Sequence, residues 1–348
     1  MAQEKLVGLD IGDHTIKLIQ LSEEKDGYSL EKLGGISLHP GAMRAGVIQD
    51  EEALVGAIQT LIQQEEVTEK KAAIALSGRN VSLHTVWVPE VDQENLEALL
   101  AWEGEQYLPF PLDELHLDYK IQAETEENGK RWFQVLLAGV RKTHVESYQS
   151  ALSRAGLEMA VVDCAALALE NALAASGIVG ESESFALLDI GSQLTNVHVV
   201  GGGLSLLSRC ILLGGRDYTR AIEKSLSVDY DQAEEIKCGR DPNHPLDTLE
   251  EIFEPVSARL ASDIQRFFSL YNVVWPDLPI EGIIMSGGGA QLVGLEPELI
   301  KVLGLPMEVA NPFARVSFSD KEFDPDFVAT MAPVSAVVMG LGVRSPSD

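Results

Sequence analysis

Leu6–Leu21 reads LVGLDIGDHTIKLIQL, and Leu187–Val200 reads LLDIGSQLTNVHVV, with Asp10 and Asp189 179 positions apart. Each stretch is an apolar run, then Asp-Ile-Gly, then a few polar residues, then a second apolar run. That pattern is a strand, a tight turn and a strand returning beside it. Glycine lets such a turn bring backbone N–H groups close to a ligand, and a short hydroxyl or a lysine beside it suits phosphate oxygens. One hairpin of this kind is as readily an ordinary turn. Two at a domain-sized separation argue for a duplicated fold, with a site in the cleft between the halves. Two hairpins facing each other there would clamp a nucleotide's phosphates from both sides.

A third stretch, GIIMSGGGAQLVGLEPEL (Gly282–Leu299), is an apolar strand, a glycine triplet (Gly287, Gly288, Gly289) and a predicted helix start. Backbone without side chains there lets a flat base or a phosphate lie against the chain. Alone, the stretch also reads as a plain strand-to-helix turn. The order hairpin, hairpin, glycine loop resembles the actin-like ATPase superfamily of actin, the heat-shock ATPases and the sugar kinases. That resemblance makes the three motifs phosphate loop 1, phosphate loop 2 and the adenosine loop. It implies an α/β, two-lobed actin-like fold of duplicated RNase H-like domains.

Composition narrows the function. The chain has 348 residues, enough for two or more domains with real cores. It carries 26 basic and 54 acidic residues, net −28. Such a surface repels nucleic acid and anionic lipid on average, so neither is expected as a partner. Cys164, Cys210 and Cys238 form no Cys-x-x-Cys pair and suit a reducing compartment better than a disulfide frame or a zinc site. The start, MAQEKLVGLDIG, goes directly into a strand and reads as no signal peptide. No run approaches the ~20 apolar residues of a spanning helix. The end, GLGVRSPSD, reads as no amphipathic anchor. The expectation is a soluble, cytoplasmic protein with no direct membrane insertion.

Along the chain, residues 5 to 38 read as three strands, and Asp50 to Glu66 as a helix with Leu54, Ala57, Ile58, Leu61 and Ile62 on one face. The segment from Glu90 to about Val162 has a helix–strand–strand–helix–strand pattern that can close into a small sheet with helices on one face. A helix, CAALALENALAAS, then leads to the strands carrying the second hairpin. A helical pair and a long amphipathic helix follow, the latter with Leu249, Ile252, Phe253, Val256, Leu260, Ile264, Phe267, Phe268 and Tyr271 on one face. The apolar C-terminal helix, VSAVVMGLGV, is expected to cross back onto the first half. The predicted division is 1–85, 86–162 (an inserted unit), 163–180 (a connecting helix), 181–332 (the second domain) and 333–348 (the return).

Several segments resemble one branch of that superfamily. GAMRAGVIQD (Gly41–Asp50) is similar to the Gly-x-Ile-x-Asp stretch shared by cell-division FtsA and type IV pilus assembly PilM. The insertion starting near Glu90 resembles the 1C subdomain of those two families, which actin, MreB and the sugar kinases lack. Within it, EGEQYLPFPLDELHLDY resembles the PilM pattern, and the expected lack of a C-terminal membrane helix separates the chain from FtsA. The chain is thus similar to the PilM family over essentially its whole length.

The resemblance implies ATP and Mg2+ as ligands. It puts Asp10, Gly12, Asp13, His14, Thr15 and Lys17 on phosphate loop 1, and Asp189, Gly191, Ser192, Gln193, Thr195 and Asn196 on phosphate loop 2. Asp10 and Asp189 would hold Mg2+ mostly through water, because the ion dehydrates reluctantly. Gly214 and Gly215 match the backbone approach after loop 2, and Glu234 and Lys237 the ribose and adenine contacts. Three residues apart on a helix, those two share a face; alone, such a pair is more often a surface ion pair. Asp13-His14 departs from the small residue usual after Asp-x-Gly. Beside a triphosphate the extra carboxylate either points outward or helps hold the cation, and it weighs against efficient hydrolysis more than against binding. Glu170 is the one weak candidate to orient a water.

The function implied is an ATP-binding interaction protein, at most a slow ATPase, in the type IV pilus inner-membrane assembly complex that serves twitching motility. Its partner would be the cytoplasmic N-terminal tail of a PilN-like membrane protein, bound as an extended peptide beside the insertion. It would link that protein to the motor and other assembly proteins, with self-association open. Leu108, Pro109 and Phe110 are candidates for a wall of the peptide groove; the other reading has them stop a helix and fill its core. A filament-forming, FtsA-like protein and a GspL-like type II secretion component are the alternatives, and a small-molecule kinase would need a catalytic base that the chain does not display.

Overall fold

A computed structural model of the protein describes residues 5–25, 27–178 and 183–346. Two mixed sheets dominate. One runs, in spatial order, Glu158–Cys164, Lys71–Leu76, Val7–Ile11, Thr15–Glu24, Gly27–Ser37 and Val316–Ser317. The other runs Leu204–Ile211, Thr195–Gly201, Ser184–Ile190, Gly282–Ser286 and Met307–Val309. Both contain the same arrangement: a three-strand antiparallel meander whose first strand also pairs in parallel with a later strand, which has a further parallel neighbour. The sequence duplication is therefore a duplication of sheet topology.

Helices cover these sheets where the apolar spacing requires. Glu51–Gln64 starts at Asp50, whose side chain accepts from Ala53 N, with Glu51 and Glu52 favourably placed at the positive end of the helix dipole. Its Leu54, Ile58 and Leu61 are fully buried against the first sheet. In the second lobe the long helix Glu250–Val274 buries Phe253, Leu260, Ile264, Phe267 and Tyr271.

The C-terminal helix Ala336–Gly342 does cross back, packing on Val7–Ile11 and on the helix Ala165–Ser176. Its contact is backbone to backbone. A Cβ on Gly340 would lie 1.7 Å from the Ala168 carbonyl oxygen, and one on Gly8 3.0 Å from Val338 O. Among the described residues, no single helix is long and apolar enough to cross a membrane. One bent pair, Pro325–Val334 with Ala336–Gly342, passes a test of length and composition, but Ala336–Leu341 is core.

The division of the chain differs from the predicted one in three places. Val81–Pro89 pairs with Lys130–Arg141, and that strand with Leu115–Glu127, in a separate three-stranded sheet. The inserted sheet thus begins at Val81, ahead of the expected 86. It ends at Arg141, since the helix Lys142–Ala155 packs on Glu51–Gln64 and the strand Glu158–Cys164 joins the large sheet. The helix–strand–strand–helix–strand unit is split because its last strand finds a parallel partner in Lys71–Leu76. The chain also returns to the first lobe before 333: Val316–Ser317 pairs with Tyr28–Ser29, and Phe313 packs with Ile19 and Leu30. The boundary expected between 180 and 181 lies outside the described residues.

Candidate nucleotide site

The two hairpins turn in the same way. Gly12 N donates to Thr15 O at 3.2 Å, and Gly191 N to Leu194 O at 2.8 Å. Behind the turns Asp10 stands opposite Lys17, and Asp189 opposite Asn196. The offset relating Asp10 to Asp189 also relates Gly12 to Gly191, Thr15 to Leu194 and Lys17 to Asn196.

The two aspartates share one counter-charge. Lys17 Nζ lies 2.8 Å from Asp10 Oδ2, and Asn196 Nδ2 donates to Asp189 Oδ2 at 3.3 Å. Burial pushes the Asp189 carboxyl above the usual carboxylate range, and the Asp10 charge adds to the push against Lys17. Burial acts to lower the Lys17 ammonium, but Asp10 and then Asp189 overcome it, and its pKa ends raised. Two hard oxygen donors, one from each lobe, fit a Mg2+ that keeps most of its water. No cluster of three or more His, Cys, Asp or Glu ligands occurs among the described residues.

Asp13, expected to point outward or to help hold the cation, has one carboxylate oxygen engaged by backbone. Its Oδ1 accepts from Gly46 N at 3.0 Å, which ties loop 1 to the small hairpin Met43–Arg44/Val47–Ile48 inside the Gly41–Asp50 stretch. The departure from the usual small residue is thus absorbed by a loop contact. His14 Nδ1 sits 3.0 Å from Thr15 Oγ1. Burial lowers its pKa; Glu234 opposes this, while Lys237, Lys17 and Arg216 add to it.

In loop 2, Gly191 O accepts from Gly215 N at 2.9 Å and Ser192 O from Arg216 N at 2.7 Å. A Cβ on Gly214 would lie 2.5 Å from Gly191 O, so this approach requires glycine. Gln193 Nε2 reaches across to Met43 O at 3.4 Å. Thr195 is fully buried and donates to Leu213 O, so it supports the turn from behind. Glu234 and Lys237 do not form an open surface pair. They lie 2.6 Å apart, each side chain 13% exposed, and Lys237 Nζ also donates to Thr219 Oγ1 at 2.9 Å and Gly215 O at 3.4 Å.

The glycine triplet divides its work. Gly287 has φ 83°, and a Cβ there would meet Ile190 O at 2.5 Å and Asp189 Oδ1 at 2.7 Å; one on Gly289 would meet Ile190 Cγ2 at 2.1 Å. Gly288 faces open space. A 3-10 turn, Gly288–Gln291, follows, and the helix begins only at Leu295.

Glu170 reaches the strand behind loop 2, where its partner His198 stands two residues beyond Asn196. Its Oε2 accepts from His198 Nε2 at 2.9 Å and from Ser205 Oγ. Ser205 in turn exchanges hydrogen bonds with Gln122, and its carbonyl accepts from Thr85. Glu170 thus joins the first lobe, the second lobe and the inserted sheet.

Sequence reasoning missed the cations at the mouth of the cleft. A cavity of about 290 Å³ is lined by Asp13, His14, Arg44, Ser192, Gln193 and Arg216, among others. The Arg216 guanidinium stacks 4.1 Å over the Tyr230 ring. Tyr230 lies one turn before Glu234 on the helix Tyr230–Lys237, and that spacing was the signal available.

Comparison with known proteins agrees with this geometry. The sequence profile described as type IV pilus assembly protein PilM matches residues 8–346. FtsA of Bacillus subtilis is 24% identical, the match covering 97% of this chain and 82% of FtsA. A solved PilM-PilN type IV pilus biogenesis complex superposes with a TM-score of 0.87 at 28% identity, covering 99% of both chains. MreB 5 of Spiroplasma citri bound to AMPPNP superposes at 0.54 with 13% identity, over 97% of this chain and 94% of that one, which establishes the shared actin-like fold. The chain belongs to the type IV pilus assembly protein PilM family.

Proposed function

We propose that ATP with Mg2+ binds between the two lobes, and that the protein works in the inner-membrane assembly complex of a type IV pilus. The observation that carries the nucleotide reading is the position-by-position repeat of the hairpins, with Asp10 and Asp189 sharing Lys17 between them. The MreB relative was solved with a nucleotide analogue, which supports the same ligand here. Turnover is slow: the one candidate to orient a water, Glu170, is committed to His198 and Ser205.

The partner is the cytoplasmic N-terminal tail of a PilN-like membrane protein, whose binding holds an otherwise cytoplasmic protein at the inner membrane and links it to the motor. A solved relative is a complex with PilN, which supports this choice. The inserted sheet offers a place for an extended peptide. Its edge strand Leu115–Glu127 is 13 residues long, pairs on one side only, and exposes Leu117 and Ile121. Lys120 of that strand is in electrostatic range of Glu170, and Asp118 of Cys164, so the strand runs beside the first lobe. Leu108 is buried with Leu115 and Leu137, and Phe110 packs beside them, so both fill the core of the insertion. The test is fluorescence anisotropy with a labelled PilN-type tail peptide. Saturable binding that an unlabelled tail displaces supports the reading; no binding to the folded, ATP-loaded protein contradicts it.

A further inference from the structure

The Gly41–Asp50 stretch builds a small hairpin against both hairpin loops of the site. Met43–Arg44 and Val47–Ile48 form a hairpin whose two central residues, Ala45 and Gly46, have φ 50° and 76°. An alanine stays in the left-handed region only where its surroundings over-determine it. Here they do. Asp13 holds Gly46 N, the buried Tyr148 hydroxyl donates to Gly46 O at 2.8 Å, and the backbone at Gly78 sits so near Ala45 O that a Cβ there would lie 2.7 Å away. Gln193, at the tip of loop 2, adds its bond to Met43 O. The hairpin is thus fastened to the tips of both phosphate loops.

What it presents is Arg44. Strand alternation buries Met43, at 1% exposure, and turns Arg44 outward. Arg44 lines the same cavity as His14, Ser192 and Gln193, and the second lobe contributes Arg216 and Arg220 to it. Arg220 has Asp217 at 3.8 Å and Arg216 has the Tyr230 ring, while Arg44 has no ion-pair partner among the described residues. Asp13, the carboxylate in the lining, is already engaged with the hairpin's own backbone. In a chain of net charge −28, three guanidinium groups from opposite lobes converge on one polar cavity beside two phosphate loops. Guanidinium groups stay protonated, and their fork of donors matches phosphate oxygens.

We propose that Arg44, carried on this hairpin, closes with Arg216 across the cleft on the phosphate tail of the bound nucleotide, so that the number of phosphates sets affinity. This rests on the nucleotide reading above.

Calorimetric titration of wild type, Arg44→Ala and Arg216→Ala with ATP–Mg2+, ADP–Mg2+, adenosine and inorganic phosphate tests it, with circular dichroism confirming the fold. Each substitution should weaken ATP about tenfold, ADP less, and adenosine by under about twofold, as loss of a charge-assisted contact predicts. Arg44→Lys should recover part of the loss. An unchanged ratio of ATP to adenosine affinity in both variants overturns the proposal. So does inorganic phosphate binding that requires Arg44 alongside unaltered ATP binding, which would mark a separate anion site. Wild type binding none of the nucleotides would instead bring down the nucleotide reading itself.

Discussion

Asp13 Oδ1 accepts from Gly46 N at 3.0 Å, so the first hairpin loop is bonded directly to the turn of the Met43–Ile48 hairpin. That bond uses the added carboxylate for loop support, although Asp13 still lines the cavity. Burial holds the Asp13 carboxyl above its ordinary range, with the Gly46 and Ala45 N–H groups opposing.

Asp13→Ala should therefore destabilise the protein by about 1–3 kcal/mol, the cost of leaving a partly buried donor unmatched. ATP affinity should fall with it, because the hairpin is no longer fastened. Denaturant midpoints with and without ATP check both. A variant as stable as wild type with tighter ATP binding would mean that Asp13 repels the nucleotide after all.

The glycine triplet predicts an ordered series. Gly288→Val, with open space at its Cβ, should keep the fold and weaken nucleotide binding. Gly289→Val drives a branched side chain into Ile190 and should cost about 1–3 kcal/mol of stability or more. Asp189→Ala removes one of the two carboxylates proposed to hold the cation, relieves a buried charge, and should reduce Mg2+-dependent affinity with the fold retained. Thermal melts and calorimetry on the three variants read out the order; wild-type affinity in Gly288→Val would displace the base from this loop.

His144 gives the acid side of stability. It is buried, packs edge-on to Tyr148 at 5.2 Å, and burial, with Arg141 beside it, pushes its pKa down to about 4. A lowered histidine pKa means that the unfolded chain binds more protons. Its contribution is complete above the unfolded value of 6.5 and is lost as pH falls from there towards 4. The loss amounts to about 3 kcal/mol. Chemical denaturation between about pH 7.5 and 4.5 should show His144→Gln losing less stability than wild type on acidification, against the shared background of the carboxylates. Parallel curves would remove His144 from the account.

The insertion can be excised at a natural seam, since Arg141 N donates to Asn80 O at 3.1 Å and Val81 pairs with Val140. Replacing 81–141 by a short Gly-Ser link should leave ATP binding measurable and abolish tail-peptide binding. In the intact chain, Ile121→Glu should weaken tail binding and spare ATP. Tail binding that survives the deletion would place the partner on another surface.

How much of this was legible beforehand depended on how local the determinants were. The two loops were readable because strand, turn and glycine lie within a dozen residues of one another, and the repeat supplied an internal control. The helix from Asp50 was readable from its Leu54–Ile58–Leu61 spacing. The edges of the insertion were not, because Val81–Pro89 and Glu158–Cys164 are both plain apolar strands; which sheet each joins is decided by partners more than 40 residues away. Val316–Ser317, two residues long, carries no periodicity at all. Within the site, Asp10 and Asp189 could be named from motif position, but Asp13's attachment to Gly46 and the convergence of Arg44 on Arg216 arise only from tertiary contact. Glu170 attracted notice for its place on the connecting helix, while its partners His198 and Ser205 lie on strands of the other lobe.

The most direct test is a calorimetric titration of the purified protein with ATP and Mg2+, paired with its denaturation midpoint. The account predicts one site per chain, dependence on Mg2+, and about 2.7 kcal/mol of added stability at a nucleotide concentration 100 times Kd. Absence of binding heat and of any stabilisation, in a sample whose cooperative unfolding shows it is folded, would contradict it.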